Sequence, residues 1–554
     1  VAITGNGSDL EMAVFGKQRY ITPGLILISA VSLAAFVFVY SPSRFHTEFD
    51  DSYMYCRYAS NFLSGHGFSW NAQDGPSFGA TSPAYLVLVT TLKRLFHPEN
   101  PVLLSAASFS AGLAGLLILA CTGYLVGGGA RRLAFLLVIP LILISSSFRF
   151  HSFTGMETTL SFASNALLIL SVLLYGRKPG AVSFAAVLLC SVFTFTVRPD
   201  NGVYALVFPA LFLLAGGRIK AGKALFLAGL FAASVGMLLL VYSGLFGTPL
   251  PVPFYTKSGG YFQGYAGAAN WNAAGYILTF LRDTSPFTAV VILFAGRKRA
   301  PELLAVLAPL VITFIYFSST VQIMGWFARY YFPSIPFVVL SALIVLEEAM
   351  SNRTRLSGGY LAKRAVVLLL VFLPVFNVRV RTRITEFWRK AGPDTASHTP
   401  DTDFRTLSGR LPESEPWWDS IRHMASLVGE LPEGVTVAAT EHGYLASENM
   451  HAVILDMAGL HDIDLARSGF SSERILNRQP DLVWLPHTDY TWFRKSLLDD
   501  PVFQADYDYY PGVLNYGVAI RRESPLHDQV LSALESTGAF QGGAPGDFLG
   551  VPAP

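Results

Sequence analysis

The chain has 554 residues, of which 52% are hydrophobic and 14% charged, with a formal net charge of +2 and a mean hydropathy of +0.43. Soluble domains carry roughly 25% charged residues, so this balance excludes an ordinary soluble chain, and the net charge selects no partner and gives no sign of nucleic acid. Its three cysteines, Cys56, Cys121 and Cys190, have neither a metal-site nor a disulfide spacing. Apolar runs of about 20 residues, enough helix to cross a bilayer core, recur as far as residue 378. The predicted fold class is a polytopic α-helical membrane protein with a C-terminal α/β domain outside the membrane.

In chain order, spans are predicted at 21–40, 101–126, 133–148, 159–175, 181–197, 202–216, 224–243, 274–295, 302–319, 333–347 and 365–379, eleven in all. The first follows Lys17 and Arg19 and has no small-residue cleavage site, so it reads as an anchor and not as a signal peptide. The apolar segment 83–96 is short for a span and carries Lys93 and Arg94 near its end, which reads as an interfacial helix. With that segment left at the outer surface, the positive-inside rule puts every basic cluster on one side: Lys17 and Arg19, Arg131-Arg132, Arg177-Lys178, Arg218 with Lys220 and Lys223, Arg297 to Arg299, and Arg353 to Arg364. The N-terminus is then cytoplasmic and everything after about 380 extracytoplasmic, in a cell inner or plasma membrane. The predicted domains are 1–379 in the membrane and 380–554 outside it.

The outer loops hold what is left of the ionisable residues. The first, "RFHTEFDDSYMYCRYASNFLSGHGFSWN" (44–71), opens with Asp50-Asp51 and continues as a helix-like segment with Tyr53, Arg57 and Tyr58, suited to the membrane interface. Later outer loops carry Glu157, Arg198 and Asp200, Lys257 in "PLPVPFYTK", and Arg329 in "WFARYYF". The tail shows four short strand-like runs, at 435–440, 452–457, 481–486 and 517–522, and an amphipathic helix at 417–431. Glu441 and His442 follow the first of these strands, where α/β sheets face ligands.

Each of these features also has a plain structural explanation. Asp50 and Asp51 suit a helix start, and Arg198 with Asp200 an ion pair. Lys257 suits a snorkelling lysine, Arg329 an aromatic-belt anchor, Glu157 a helix N-terminal charge, His66 between two glycines a helix end, and "EHGY" a surface turn.

Taken together, "FDDSYMYCRYASNFLSGHGFSWN", "SFTGMETTL", "RPDN", "GTPLPVPFYTKSG", "RYYFPSIP" and "VAATEHGYLAS…VILDMAGLHD" resemble the GT-C superfamily of membrane glycosyltransferases. These enzymes use polyprenyl-phosphate sugars. The resemblance is nearest to the mycobacterial terminal arabinofuranosyltransferase branch, with its DD-x5-RYA-x-N-x3-GHG-x3-N pattern. It implies two juxtamembrane helices after the first span, a lipid-linked donor, and a glycan or protein acceptor arriving from outside to a monomeric enzyme. It also implies Asp50 as the base that activates the acceptor hydroxyl and Asp51 as its partner. Lys257 with Tyr255, Arg198, Arg329, His66 and Glu157 become candidates around the donor phosphate, and Glu441 and His442 candidates for the acceptor. The adjacent carboxylates also offer a seat for a divalent cation, so metal use stays open. Two other functions remain beside a cell-wall pentosyltransferase: a transferase acting on a surface protein such as a pilin, and a lipid-linked-sugar flippase. No inverted repeat or mid-membrane charge favours the flippase.

Overall fold

The computed structural model describes residues 26–37, 47–126, 138–258, 271–320, 322, 325–351, 416–487 and 490–536. The predicted span 365–379 and the basic groups at Arg131-Arg132 and Arg353 to Arg364 lie outside the described residues. Among those described, five helices are long and apolar enough to cross a membrane: Asn100–Thr122, Thr158–Arg177, Ala221–Phe246, Ala300–Ser318 and Trp326–Ala349. Ile26–Val37, Ala181–Val197 and Pro199–Ala215 are shorter apolar helices. Asn100–Val126 packs along Thr158–Arg177. The backbones come close there because Gly115 has no Cβ; an added one would run into the Phe162 ring and press on the Ala163 backbone.

The predicted span 274–295 is broken. Trp271–Asp283 and Ser285–Phe294 meet at an angle of 81°. The cause is local chemistry. Asp283 is buried and accepts hydrogen bonds from the hydroxyls of Ser145 and Ser146 and from the backbone N–H of Ser147. Pro286, early in the next helix, has no N–H to continue the ladder. A carboxylate so held fixes the bend at the turn beside residues 145–147.

After Asp50–Tyr53, a single 3-10 turn, comes the first platform helix, Met54–Leu63. The second, Pro83–Phe96, is capped by Ser82, whose hydroxyl accepts from Tyr85 N–H, and starts on a proline. It buries Tyr85, Leu86, Val89 and Thr90 and exposes Val87, Leu95 and Phe96, the pattern of an interfacial helix. The first platform helix departs from expectation. Instead of lying in the interface it is buried along most of its length, with the tail domain packed over it.

That domain, from Pro416 on, is a five-stranded sheet in the order β2-β1-β3-β5-β4. Its strands are β1 (Thr436–Ala439), β2 (Val453–Asp456), β3 (Leu482–Trp484), β4 (Tyr507–Tyr510) and β5 (Val518–Arg521). The first three are parallel, and β5 runs antiparallel to β3 and β4. Sequence reading missed β4, "YDYY", because aromatic residues replace the aliphatic run expected of a buried strand. The predicted helix at 417–431 is Pro416–Gly429.

Arg57 joins the two parts. It is 1% exposed and donates to the backbone carbonyls of Trp70, Ala446, Asn449 and Ala452 and to Asn71 Oδ1. Burial lowers its guanidinium to about 10, still charged at neutral pH. The Asn71 side chain caps the open edge of β2: its Oδ1 accepts from Ile454 N–H and its Nδ2 donates to Ile454 O. An unpaired sheet edge is thus satisfied by the platform.

Candidate active site at the platform edge

The turn Asp50–Tyr53 sends its two carboxylates in different directions. Asp50 is 3% exposed. Its Oδ2 accepts from Gly443 N–H at 2.9 Å and its Oδ1 from Tyr444 N–H at 2.8 Å. Gly443 is required by the closeness of this contact, since a Cβ there would overlap the Asp50 backbone carbonyl. Burial raises the Asp50 carboxyl above its usual range, against the pull of His442 and of the two amides. A ring of aromatic side chains, Tyr53, Tyr444 and Trp418, closes the contact.

Asp51 turns the other way. Its side chain is 28% exposed and its Oδ2 lies 4.0 Å from Arg329 Nη1. Beyond Arg329 is a cluster assembled from four distant segments. The Tyr330 ring is its centre: the Arg198 guanidinium lies 5.6 Å from the ring centroid, Lys257 Nζ 5.9 Å and the Arg329 guanidinium 5.9 Å. Glu157 stands below, buried, accepting from Tyr55 Oη at 3.0 Å and lying 3.5 Å from Arg198 and 3.6 Å from Arg329. Burial opposes its charge, but Arg329 and Arg198 outweigh burial and hold its carboxyl below the usual range. Glu157 stands at the start of Thr158–Arg177 but makes no side-chain cap bond; it serves the cations instead of the helix.

The ion pairs here are incomplete. Arg198 is held at 3.0 Å by both oxygens of Asp200, but Arg329 is only loosely paired and its buried Nε has no partner. Among the described residues, no carboxylate lies within 4 Å of Lys257 Nζ, whose hydrogen bond goes to Tyr330 Oη at 3.5 Å. Such a site favours an incoming anion. Beside it is a shallow apolar crevice walled by Phe195, Pro199, Tyr242 and the Pro249-Leu250-Pro251 run. Pro199 adjoins Arg198, and Pro251 precedes the helix Val252–Ser258 that carries Lys257.

No family model matches this sequence, and no curated protein matches it either. Solved structures do. ArnT from Cupriavidus metallidurans bound to undecaprenyl phosphate superposes with a TM-score of 0.52 at 14% identity, over 91% of this chain and 99% of that one. The apo form of ArnT gives 0.51 at 13%, over 90% and 98%. The oligosaccharyltransferase AglB from Archaeoglobus fulgidus, in complex with an inhibitory peptide and a dolichol-phosphate, gives 0.50 at 13%, over 92% and 75%. The likeness is one of fold.

Set on this fold, the predicted residues divide into two groups. Asp51, Glu157, Arg198, Lys257 and Arg329 come together. Tyr255 does not join them. Residues 252–258 form a helix, and two positions along a helix face opposite ways, so Tyr255 lies under the Arg467 guanidinium of the tail domain instead. His66 is also elsewhere. It is exposed at the far end of the ten-residue platform helix, a length of about 15 Å, with its N–H on Asn61 O. His442 is buried against the Trp70 and His461 rings, closed to an arriving acceptor, while Glu441 beside it is half-buried. The adjacent aspartates do not form a chelating pair: an ion shared between them would have to displace the Gly443 and Tyr444 amides from Asp50. Sequence reading missed Tyr330, Tyr55, Arg57 and His461. Tyr330 directly follows Arg329 in "WFARYYF", and His461 stands in "DMAGLHD", so both lay within quoted motifs.

Proposed function

We propose that the chain is a membrane glycosyltransferase. It moves a sugar, a pentofuranose such as arabinofuranose, from a polyprenyl-phosphate donor to a hydroxyl of a cell-envelope glycan at the outer membrane face. The observation that carries this reading is the convergence of Arg198, Lys257 and Arg329 on Tyr330, with the half-open Asp51 beside them and an apolar crevice alongside. A lipid monophosphate needs both features, cations for its head and apolar surface for its first isoprene units. The shared fold with chains holding undecaprenyl phosphate and dolichol-phosphate supports the same ligand class here, and the resemblance of the motifs to the arabinofuranosyltransferase branch supports a pentose.

In the reaction the acceptor oxygen forms a bond to the anomeric carbon as the bond from that carbon to the phosphate oxygen breaks. The hydroxyl proton passes to Asp51, whose carboxylate faces the site. The electron pair leaves with the lipid phosphate, and Lys257, with the more loosely paired Arg329, stabilises the charge that develops on it. Glu157 and Asp200 keep the guanidiniums in place. Asp50 holds the turn by its bonds to the tail domain, which fixes where Asp51 points.

The test is transfer by the purified chain in proteoliposomes. Synthetic polyprenyl-phosphate arabinofuranose, mannose and glucose are offered with an arabinoside acceptor, and products are read by mass spectrometry. Pentosyl transfer is expected. Transfer of a hexose alone overturns the sugar assignment. No transfer from any lipid-linked sugar, with movement of the lipid between leaflets instead, overturns the enzyme reading in favour of a flippase.

A further inference from the structure

We infer that the tail domain carries a transition-metal site, of the kind that takes Zn²⁺, formed by His442, Asp456 and His461. One ligand atom from each lies within 4.8 Å of the others, and all three residues are buried. The three stand at the carboxyl ends of the parallel strands: Asp456 closes β2, His461 follows it by five residues, and His442 comes three after the end of β1.

The hydrogen bonds around the rings engage Nδ1 of each histidine. His461 Nδ1 is 3.1 Å from Tyr58 Oη. That hydroxyl already accepts from Gly79 N–H and has Ser77 Oγ at 3.0 Å to donate to. The hydroxyl can accept from Nδ1–H while it donates to Ser77, and in that tautomer His461 Nε2 is a lone pair. This atom is buried with no hydrogen-bond partner, in a residue 6% exposed. In His442, Nδ1 is 2.8 Å from the Thr440 carbonyl, which can only accept, so Nδ1 carries a proton and Nε2 is the nitrogen that can give up its own to a metal. A metal-binding histidine characteristically donates its other ring N–H to a carbonyl or similar group; His442 does so to Thr440 O, and Tyr58 Oη is placed to accept from His461.

The remaining surroundings fit. Backbone N–H groups of Ala458, Leu460 and His461 orient the Asp456 carboxylate, whose Oδ1 also lies 3.4 Å from the protonated His442 Nδ1. Trp70 stacks on His461 with ring centroids 3.8 Å apart and shields the cluster. Two imidazoles and one carboxylate suit Zn²⁺. Calcium and magnesium need six or more oxygens, which this cluster does not offer. The ion would tie together the loops after β1 and β2, where Gly443 and Tyr444 hold Asp50. The inference does not depend on the proposed transfer reaction, because its readout involves no sugar.

The experiment uses the full chain, free of any histidine tag, in detergent. It is stripped with chelator, reloaded with Zn²⁺ or Co²⁺, and desalted. One equivalent of metal per chain is expected by elemental analysis, with a Co²⁺ ligand-field spectrum and a higher Tm than the stripped protein. His461→Gln and Asp456→Asn lose the equivalent, and His66→Gln keeps it. X-ray absorption on the Zn²⁺-loaded wild-type chain is expected to report two imidazoles, and it stands even where a variant fails to fold. Wild-type protein that retains no metal overturns the site. So does metal retained at full stoichiometry by folded His461→Gln protein, or a bound ion with no imidazole in its shell.

Discussion

Asp50 and Asp51 are neighbours in the chain, yet they belong to two different regions. On one side of the turn is the seam between platform and tail domain. It is buried and aromatic, and its two charged platform residues are matched by backbone: Asp50 by two amides, Arg57 by four carbonyls. On the other side is the cationic cluster, half-open, with loosely paired charges and an orphaned guanidinium nitrogen at Arg329. Buried groups whose hydrogen bonds are all satisfied hold a structure in one arrangement; groups left short of partners are available to a ligand. On the proposed reading, the difference separates Asp50, which positions, from Asp51, which reacts.

The sharpest way to break the comparison is to neutralise each aspartate in turn. Asp51→Asn is expected to lower turnover about 100- to 10,000-fold, the usual size of a lost general base, with Tm and protease resistance unchanged. Asp50→Asn is expected to lose activity together with stability, since its amide presents an N–H to one of the two backbone N–H groups. If Asp50→Asn loses only turnover and Asp51→Asn transfers sugar normally, the roles are reversed. The seam is tested directly by Arg57→Met, which leaves several buried carbonyls without a donor. At about 1–3 kcal/mol for each unsatisfied group, the tail domain is expected to come loose, read as new protease cleavage between platform and tail. Gly443→Ala should act in the same direction by overpacking, at about 1–3 kcal/mol.

A smaller effect is expected on the cluster side. Lys257→Ala should weaken donor use about 10- to 100-fold, in line with the loss of one charge-assisted contact worth about 1.5–3 kcal/mol, and leave acceptor affinity unchanged. Kinetics with donor and acceptor varied separately check this; a defect in acceptor binding alone would move Lys257 into the acceptor groove. The smallest effect lies far from both regions. His527 is raised above its ordinary value by its bonds to Asp528 and Asp508. A raised histidine adds stability that is full below its unfolded value of about 6.5 and is lost as pH climbs through the folded value. Tail-domain Tm should therefore drop slightly between pH 6 and 8, and His527→Gln should flatten that slope.

The amino-acid sequence by itself determined the class of the molecule. The recurrence of apolar runs, the short and basic-ended 83–96 segment, and four of the five tail strands were readable because hydrophobic length and periodicity are local properties. The residues of the cluster were readable as candidates, since ionisable groups are costly in a membrane and stand out. Where those groups point was not readable. The resemblance makes Asp50 the base, but Gly443 and Tyr444, almost 400 positions away (the hydrogen bonds span 393 and 394 residues), take up its carboxylate, and for that reason the proposal gives the base role to Asp51. Tyr255 leaves the site because residues 252–258 form a helix instead of an extended loop. Arg57 reads as an interface residue until the tail domain supplies its acceptors. The span at 274–295 reads as straight until Ser145 to Ser147 gather on Asp283. Each of these depends on a partner distant in sequence, so only the folded chain decides it.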